Sequence, residues 1–306
     1  MRRRGRRRRR GRGRGLASPS RAHYRDAMSV PVDHHYLPQF YLSRWTRGGK
    51  LYRFVRPVVG QPVHQKKVSP RSVGYERNLY AYSDGQSPEH KQRLELDFLR
   101  HIDERAAVAL AKLDAGERGS AIDKAGLIQF VLSMMHRSPV RIKTLREELS
   151  HRMSDVREFN GSNPAHGAMI ADNVNDLLCD LCSSLEMIEF IFDMRVYRIQ
   201  VGGRGALITS DMPLLLSPAL KQEDGYIMFP YAPDKLAIFA HSEHTAWAFS
   251  SQDGTALINA INNSVATQAR HVVISSDSSA RGQIEEWFDP SAPMPAGDGL
   301  QRWVVP

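Results

Sequence analysis

Three polar clusters, far apart in the sequence, contain residue types that catalyse hydrolysis or bind anions. Imidazole and carboxylate groups act as general bases, and a guanidinium group binds phosphate or carboxylate. If the fold brings the clusters together, they would line one polar pocket. The predicted catalytic residues are His35 and Asp211, and the predicted ligand-binding residues are Gln39, Arg137, Ser210 and Asn262.

Each candidate also has a structural interpretation, and the sequence leaves both open. The two N-terminal candidates could satisfy buried backbone groups, and the Ser210-Asp211 pair could form a turn before Pro213. Arg137 could pair with an internal carboxylate. Arg141 lies one helical turn further, however, and two cations at this spacing repel unless an anion lies between them. Asn262 could be a packing residue or a helix-capping residue, as asparagines commonly are.

Other motifs indicate neither a metal nor a particular cofactor. Cys179 and Cys182 have the spacing of a metal-binding pair, but zinc requires two further ligands and no second pair is present. Both cysteines lie in an apolar helical pattern, which predicts ordinary buried thiols. The segment Gly202-Gly203-Arg204-Gly205 lacks the Lys-Ser/Thr of a phosphate-binding loop and is interpreted as a hairpin turn. We therefore predict no metal site and name no cofactor.

The positive charge is concentrated at the N-terminus. Residues 1–27 contain twelve arginines and one acid, which gives +11 against a net charge of +9 for the chain, so that the remainder carries −2. We expect this Arg/Gly-rich tail to be disordered. It is either a nucleic-acid-binding arm or, if Met28 is the true start, a segment that is not translated. Nucleic acid is a predicted partner only in the first case.

The order of hydrophobic patterns predicts an α+β fold over residues 28–306. Gly48-Gly49 predicts a hairpin between residues 40–42 and 51–55. Helices are predicted from Ser87, from Ser120, from Pro139 to about 159, and over residues 168–192.

The last third of the chain changes to strand patterns. Strands are predicted over residues 194–201, 206–209, 226–229, 235–240 and 271–275, with a helix over 253–269. We predict a single domain in which a helical middle layer packs against a mainly antiparallel sheet, formed by the C-terminal third and the N-terminal hairpin.

Three segments together resemble a known bacterial family. They are the opening His35-Tyr36-Leu37-Pro38-Gln39-Phe40-Tyr41-Leu42, the step Arg137-Ser138-Pro139, and the turn Thr209-Ser210-Asp211-Met212-Pro213. These segments are similar to the signature of the domain of unknown function 4238, and the resemblance covers nearly the whole chain from about residue 33. It implies the fold class and a start close to the signature, which supports Met28. It implies no activity.

Two functional hypotheses follow. The first is a hydrolase or a binder of an anionic, phosphate-containing ligand at the polar pocket. The alternative is a non-enzymatic interaction module, associated with nucleic acid through the Arg-rich tail. The chain has two cysteines and no apolar run of the roughly 20 residues that a membrane span requires, so we expect a cytoplasmic protein without a membrane partner. The oligomeric state is not indicated.

Overall fold

Short antiparallel strands near both ends of the chain flank a series of helices. The computed structural model describes residues 32–83, 87–156 and 159–293. The predicted Arg/Gly-rich tail and the domain boundary at residue 28 therefore lie outside the described residues. Within them, the α+β fold class is confirmed.

Most of the described helices begin at a residue whose side chain caps them. They are α1 (Gln39–Ser43), α2 (Pro88–Lys91), α3 (Arg100–Ala115), α4 (Ala121–His136), α5 (Pro139–Met153), α6 (Pro164–Ser183), α7 (Leu185–Asp193), α8 (Glu243–Ser250), α9 (Gly254–Gln268) and α10 (Arg281–Trp287). Ser87, Ser120 and Ser138 each accept a hydrogen bond from the backbone N–H three residues on. The starts of α2, α4 and α5 agree with the predictions.

The described strands form three antiparallel sheets. β1 (Asp33–His35) pairs with β4 (Tyr75–Arg77). The second sheet has the order β3 (His64–Val68), β2 (Leu51–Val55), β10 (Val273–Ser275) and β6 (Thr209–Ser210), and the third has the order β5 (Arg195–Gln200), β9 (Lys235–Ala240), β8 (Tyr226–Ala232) and β7 (Leu215–Leu216). The second sheet joins the two ends of the chain, as predicted, because β2 pairs with β10.

Strand β8 separates two hydrophobic cores. All seven of its residues are buried, and successive side chains of a strand point to opposite faces. Ile227 and Phe229 accordingly belong to the core of the middle helices, whereas Tyr226 and Met228 belong to the core beneath α9.

The opening aromatic segment ties the N-terminus to the C-terminal strands. The Tyr41 hydroxyl donates to the carbonyl oxygen of Pro230 at 2.7 Å, and the Trp45 indole N–H donates to the carbonyl oxygen of Leu207 at 3.2 Å. Both aromatic side chains are fully buried. These contacts hold α1 against the sheets and thereby fix the position of β1, which carries His35.

The predicted N-terminal hairpin was wrong in its first strand. Tyr41 and Leu42 are both fully buried, which suits a helix and not the alternation of a half-buried strand. The turn itself exists, because Gly48 and Gly49 have φ angles of 59° and 71°. The partner of β2 is β3, which follows a loop over residues 56–63.

Two further element predictions were wrong. The long helix predicted over residues 168–192 is two helices, because Ser184 ends α6 and accepts a hydrogen bond from the backbone N–H of Met187 to begin α7. Residues 206–209 do not pair with β5. β5 pairs instead with β9. Thr209 lies in β6 and is paired with Ile274 of β10, in the second sheet.

Candidate functional site

A π-helical turn leads directly into α3. It covers Leu94–Leu99, and the backbone N–H of Arg100 donates to the carbonyl oxygen of Glu95, five residues earlier. The wider π turn is rare and occurs frequently at functional sites, because it displaces side chains from the register of the surrounding helix. Glu95 lies inside this turn.

The π turn brings two carboxylates, Glu95 and Asp103, onto one side of the helix. In a regular α-helix, eight residues exceed two full turns by roughly 80°. A π turn absorbs about one extra residue, so the same eight residues correspond to roughly two complete turns. The two groups act on each other electrostatically, since Asp103 contributes to raising the pKa of Glu95.

Arg137 lies beside these carboxylates and is almost completely buried, with 1% of its surface exposed. Its Nη1 donates to Asp103 Oδ1 at 2.9 Å, and its Nη2 contacts Met134 Sδ at 3.0 Å. The guanidinium carbon lies 5.6 Å from the centre of the Phe130 ring. Nε is buried and has no hydrogen-bond partner among the described residues.

The backbone of Arg137 is also fixed. It caps the C-terminus of α4, and its carbonyl oxygen accepts a hydrogen bond from the Tyr80 hydroxyl. A cation at a helix C-terminus is stabilised by the helix dipole. The arginine is therefore held in place from both its backbone and its side chain.

His35 enters the same cluster from β1. Its backbone N–H donates to Glu95 Oε1 at 3.4 Å, and its ring packs against Tyr75 at 5.4 Å between centroids. Burial lowers the pKa of the imidazole, and the Arg137 charge acts in the same direction. The Nε2 atom is buried without a hydrogen-bond partner in the described part of the chain. These surroundings favour the neutral form of the His35 imidazole.

Glu95 has the carboxyl group best suited to proton transfer. Burial raises its pKa to about 7, Asp103 adds to the increase, and Arg137 opposes it. One oxygen accepts the long bond from His35, and the other has no hydrogen-bond partner among the residues that the structure describes. We call His35, Glu95, Asp103 and Arg137 the Arg137 cluster. A carboxyl that exchanges its proton near pH 7 is suited to general acid–base chemistry.

Asp211, in contrast, has a complete set of backbone partners. Its Oδ1 accepts hydrogen bonds from the backbone N–H groups of Arg270, His271 and Val272, each at 3.1 Å. Burial raises the pKa of this carboxyl, while the backbone N–H groups lower it by stabilising the charged form. This geometry joins the segment after β6 to the segment before β10. The predicted catalytic role of Asp211 stays a prediction, and its contacts are those of a backbone anchor.

Ser210 and Asn262 have similar backbone contacts. Ser210 Oγ donates to the carbonyl oxygen of Val265 at 3.3 Å and accepts from the backbone N–H of Met212 at 3.2 Å. Asn262 Oδ1 accepts from the backbone N–H of Ile208, and Nδ2 donates to the carbonyl oxygen of Ala206, both at 2.9 Å. Together these bonds fasten α9 to the strand segment that precedes Asp211.

The structure therefore divides the predicted residues into two groups. His35 and Arg137 share the Arg137 cluster, whereas Ser210, Asp211 and Asn262 share the region between β6 and α9. Within the described residues, no hydrogen bond or ion pair joins His35 to Asp211. The groups approach each other at Tyr36, where Asp211 adds to burial in raising the pKa of the phenol.

Gln39 belongs to neither group. It is the first residue of α1, its side chain is exposed, and only its carbonyl oxygen has a described partner, the Ser43 hydroxyl at 2.7 Å. A ligand-binding role for Gln39 stays a prediction.

Glu95 and Asp103 were missed in the sequence. Both lie in the helix predicted from Ser87, but in a regular α-helix their spacing of eight residues would turn one about 80° away from the other. The π turn that aligns them has no signal in the hydrophobic pattern. The structural interpretation of Arg137 predicts a pairing with an internal carboxylate, and Asp103 is that carboxylate.

The rest of the described structure contains no metal-binding cluster, and its three described clefts do not reach the residues of the Arg137 cluster. In the described ranges, no group of three or more His, Cys, Asp or Glu residues is arranged to hold a metal ion. None of the helices in those ranges is long and apolar enough to cross a membrane. Three surface clefts are described, and none of the three is lined by a residue of the Arg137 cluster or by Asp211.

One protein-family model matches most of the chain. Residues 33–279 match the model described as protein of unknown function (DUF4238). The chain belongs to the DUF4238 family. The match begins at β1 and ends after β10, so that it includes the Arg137 cluster and the Asp211 anchor of this DUF4238 protein. No curated protein and no solved structure matches the chain.

Proposed function

We propose that this DUF4238 protein is a hydrolase in which Glu95 is the general base. The observation that carries the proposal is the arrangement of free polar atoms in one charge cluster. His35 Nε2, Glu95 Oε2 and Arg137 Nε are all buried and have no hydrogen-bond partner among the described residues. Buried polar groups in folded proteins are normally paired, and a catalytic role is one of the reasons for which a group is left unpaired.

The charge balance of the cluster favours a hydrolase over a pure anion binder. Arg137 already forms an ion pair with Asp103, at 2.9 Å. Glu95 supplies a second carboxyl, so the cluster has no excess of positive charge for a dianionic ligand. An anion that carries a single charge, or a neutral ester, suits this balance better.

The proposed reaction uses the free oxygen of Glu95. Oε2 accepts a proton from a water molecule while the water oxygen attacks the ester carbonyl or phosphoryl group. The proton then passes from Glu95 to the oxygen of the leaving group. The Arg137 charge keeps the ionised form of Glu95 accessible near pH 7, and His35 Nε2 provides a neutral hydrogen-bonding group for the substrate.

A substrate would have to reach the cluster from the side of Asp103, because Asp103 is the partly exposed member of the ion pair. The free atoms are covered, whereas the Asp103 side chain is 22% exposed. The proposal therefore requires a local movement beside Asp103 when substrate enters. Such movements are common in enzymes that exclude water from the reacting groups.

The test is turnover by the full-length chain of p-nitrophenyl acetate, p-nitrophenyl phosphate and bis(p-nitrophenyl) phosphate. We expect hydrolysis of the neutral p-nitrophenyl acetate or the singly charged bis(p-nitrophenyl) phosphate in preference to the dianionic p-nitrophenyl phosphate, and a decrease in kcat of about 100-fold or more in Glu95→Gln. The matched control is Asp97→Asn, which changes an exposed acid of the same π turn and should retain full activity. Absence of turnover with all three compounds, or full activity in Glu95→Gln, would overturn the proposal.

A further inference from the structure

A separate cleft lies where the connection between α3 and α4 meets the first residues of β5. Its volume is about 570 Å³, within the range of pockets that bind small molecules. None of the residues of the Arg137 cluster lines it. The cleft and its chemistry are therefore independent of the proposed hydrolase.

The floor of this cleft is apolar and its rim is cationic. Ala109, Leu113, Leu127 and Val196 form the apolar part. The rim contains four cations, Lys112, Arg118, Lys124 and Arg195, and two acids, Glu117 and Asp123. An apolar floor beneath an excess of positive charge suits a molecule with an apolar body and an anionic end.

Two of the four cations already have partners. Lys112 forms an ion pair with Asp123 at 2.7 Å, and Lys124 Nζ donates to the carbonyl oxygen of Phe192. The guanidinium groups of Arg118 and Arg195 are exposed and make no hydrogen bond or ion pair with the described residues. A guanidinium group binds a carboxylate through two parallel hydrogen bonds, so these two arginines are the groups available to an anion.

The segment that carries Arg118 is held at both ends. Gly116 ends α3 in the left-handed conformation, with φ of 70°, and the backbone N–H of Glu117 donates to the carbonyl oxygen of Lys112 at 3.0 Å. Ser120 and Asp123 then form a reciprocal capping box that begins α4. A short connection with both ends fixed positions Arg118 before a ligand arrives.

Arg195 is positioned by the third sheet. It is the first residue of β5, which pairs with β9 and is an edge strand of this sheet in the described part of the chain. Its neighbour Val196 packs against the core of the middle helices and lines the apolar floor. Arg195 and Val196 both line the cleft, so the start of β5 contributes a cation and an apolar side chain to it.

We propose that this cleft binds a free carboxylate with a linear apolar chain, with Arg118 and Arg195 at the carboxylate and the chain on the apolar floor. The occupant is a small molecule in solution. The probe is octanoate, and its neutral and short analogues, octanol and acetate, separate the contribution of the charge from that of the chain.

The experiment is calorimetric titration of the full-length chain with octanoate. The double variant Arg118→Ala/Arg195→Ala should bind at least about tenfold more weakly, because each lost charged hydrogen bond contributes about that factor. The control, Arg100→Ala/Lys143→Ala, removes two exposed cations that pair with Glu104 and Glu147 on other helix surfaces, and it should bind octanoate like the wild type.

Three results would overturn this inference. They are equal binding of octanol and octanoate, equal binding of acetate and octanoate, and unchanged affinity in the arginine double variant. Circular dichroism of the double variant shows whether weaker binding is due to unfolding. Both changed side chains are exposed, so we expect the fold to be retained.

Discussion

Asp211 and Glu95 are two acids whose carboxylates are largely removed from solvent, and they differ in their hydrogen-bond partners. Asp211 accepts hydrogen bonds from three successive backbone N–H groups, so its negative charge is compensated by fixed dipoles. Glu95 accepts a single bond of 3.4 Å and keeps one oxygen unpaired within the described residues. A fully paired acid holds segments together, whereas an incompletely paired acid retains capacity for a substrate and a proton.

The electrostatic surroundings sharpen this contrast. Glu95 lies close enough to the Asp103–Arg137 ion pair to feel both charges, and burial together with Asp103 raises its pKa to about 7. When Glu95 gains or loses a proton, the net charge around Arg137 changes. Around Asp211, the opposing charge comes from backbone groups that do not titrate.

The largest effect is expected from Asp211→Ala. The change removes three hydrogen bonds from backbone N–H groups to a carboxylate, one of them from the buried Val272, and we expect a loss of about 5 kcal/mol in the free energy of unfolding. Urea denaturation measures it. Asp211→Asn keeps one acceptor oxygen and should lose less. A loss below about 1 kcal/mol in the alanine variant would contradict the anchor role.

The second prediction concerns Arg137→Leu. This change leaves the partly buried Asp103 carboxylate without its arginine partner, and we expect a loss of about 3 kcal/mol in the free energy of unfolding. It also removes the positive charge that lowers the pKa of Glu95, so the acidic limb of the pH–rate profile should move to higher pH. Arg100→Ala, an exposed cation near the same turn, should leave both quantities unchanged.

The third prediction is a pH dependence of stability that originates in Glu95. A carboxyl with a raised pKa in the folded state favours the protonated form, so its contribution is present below the ordinary pKa and is lost as the pH rises through about 7. Relative to the wild type, Glu95→Gln should therefore gain up to about 3 kcal/mol between pH 5 and pH 8.

Urea denaturation at both pH values tests this prediction, with Asp97→Asn as the control. If the difference between Glu95→Gln and the wild type is the same at the two pH values, Glu95 does not titrate in this interval.

The smallest effect is expected from Gln39→Ala. The side chain is exposed and has no described partner, so the free energy of unfolding should change by less than about 0.5 kcal/mol. Hydrolysis should also be unchanged. A large loss of turnover with unchanged stability would extend the site to the start of α1. The site would then not be confined to the Arg137 cluster.

The sequence predicted elements whose signals are local. Ser87 and Ser120 cap helices where their residue types indicated, and the apolar spacing of Leu127, Ile128 and Val131 marks the buried side of α4. Tyr41 and Leu42 were assigned to a strand because Gly48-Gly49 indicated a hairpin turn after them. The burial of Tyr41 instead depends on a tertiary contact with a C-terminal strand.

The candidate site was predicted only in part. His35 and Arg137 were identified from their chemistry, and the fold places them in one cluster. Glu95 could not be identified, because its alignment with Asp103 depends on a π turn that residue spacing does not reveal. Asp211 has the residue type of a catalyst, and only its three backbone contacts indicate an anchor.

The most direct test of the contrast is the titration of Glu95 itself, by NMR of the full-length chain with carbon-13 in the glutamate side-chain carboxyl groups. Comparison with Glu95→Gln assigns the signal, and aspartate carboxyls do not appear. The account predicts a glutamate that titrates with a pKa of about 7 and is absent from the variant. A Glu95 signal that titrates at the ordinary value of an exposed glutamate would contradict the assignment of Glu95 as the general base.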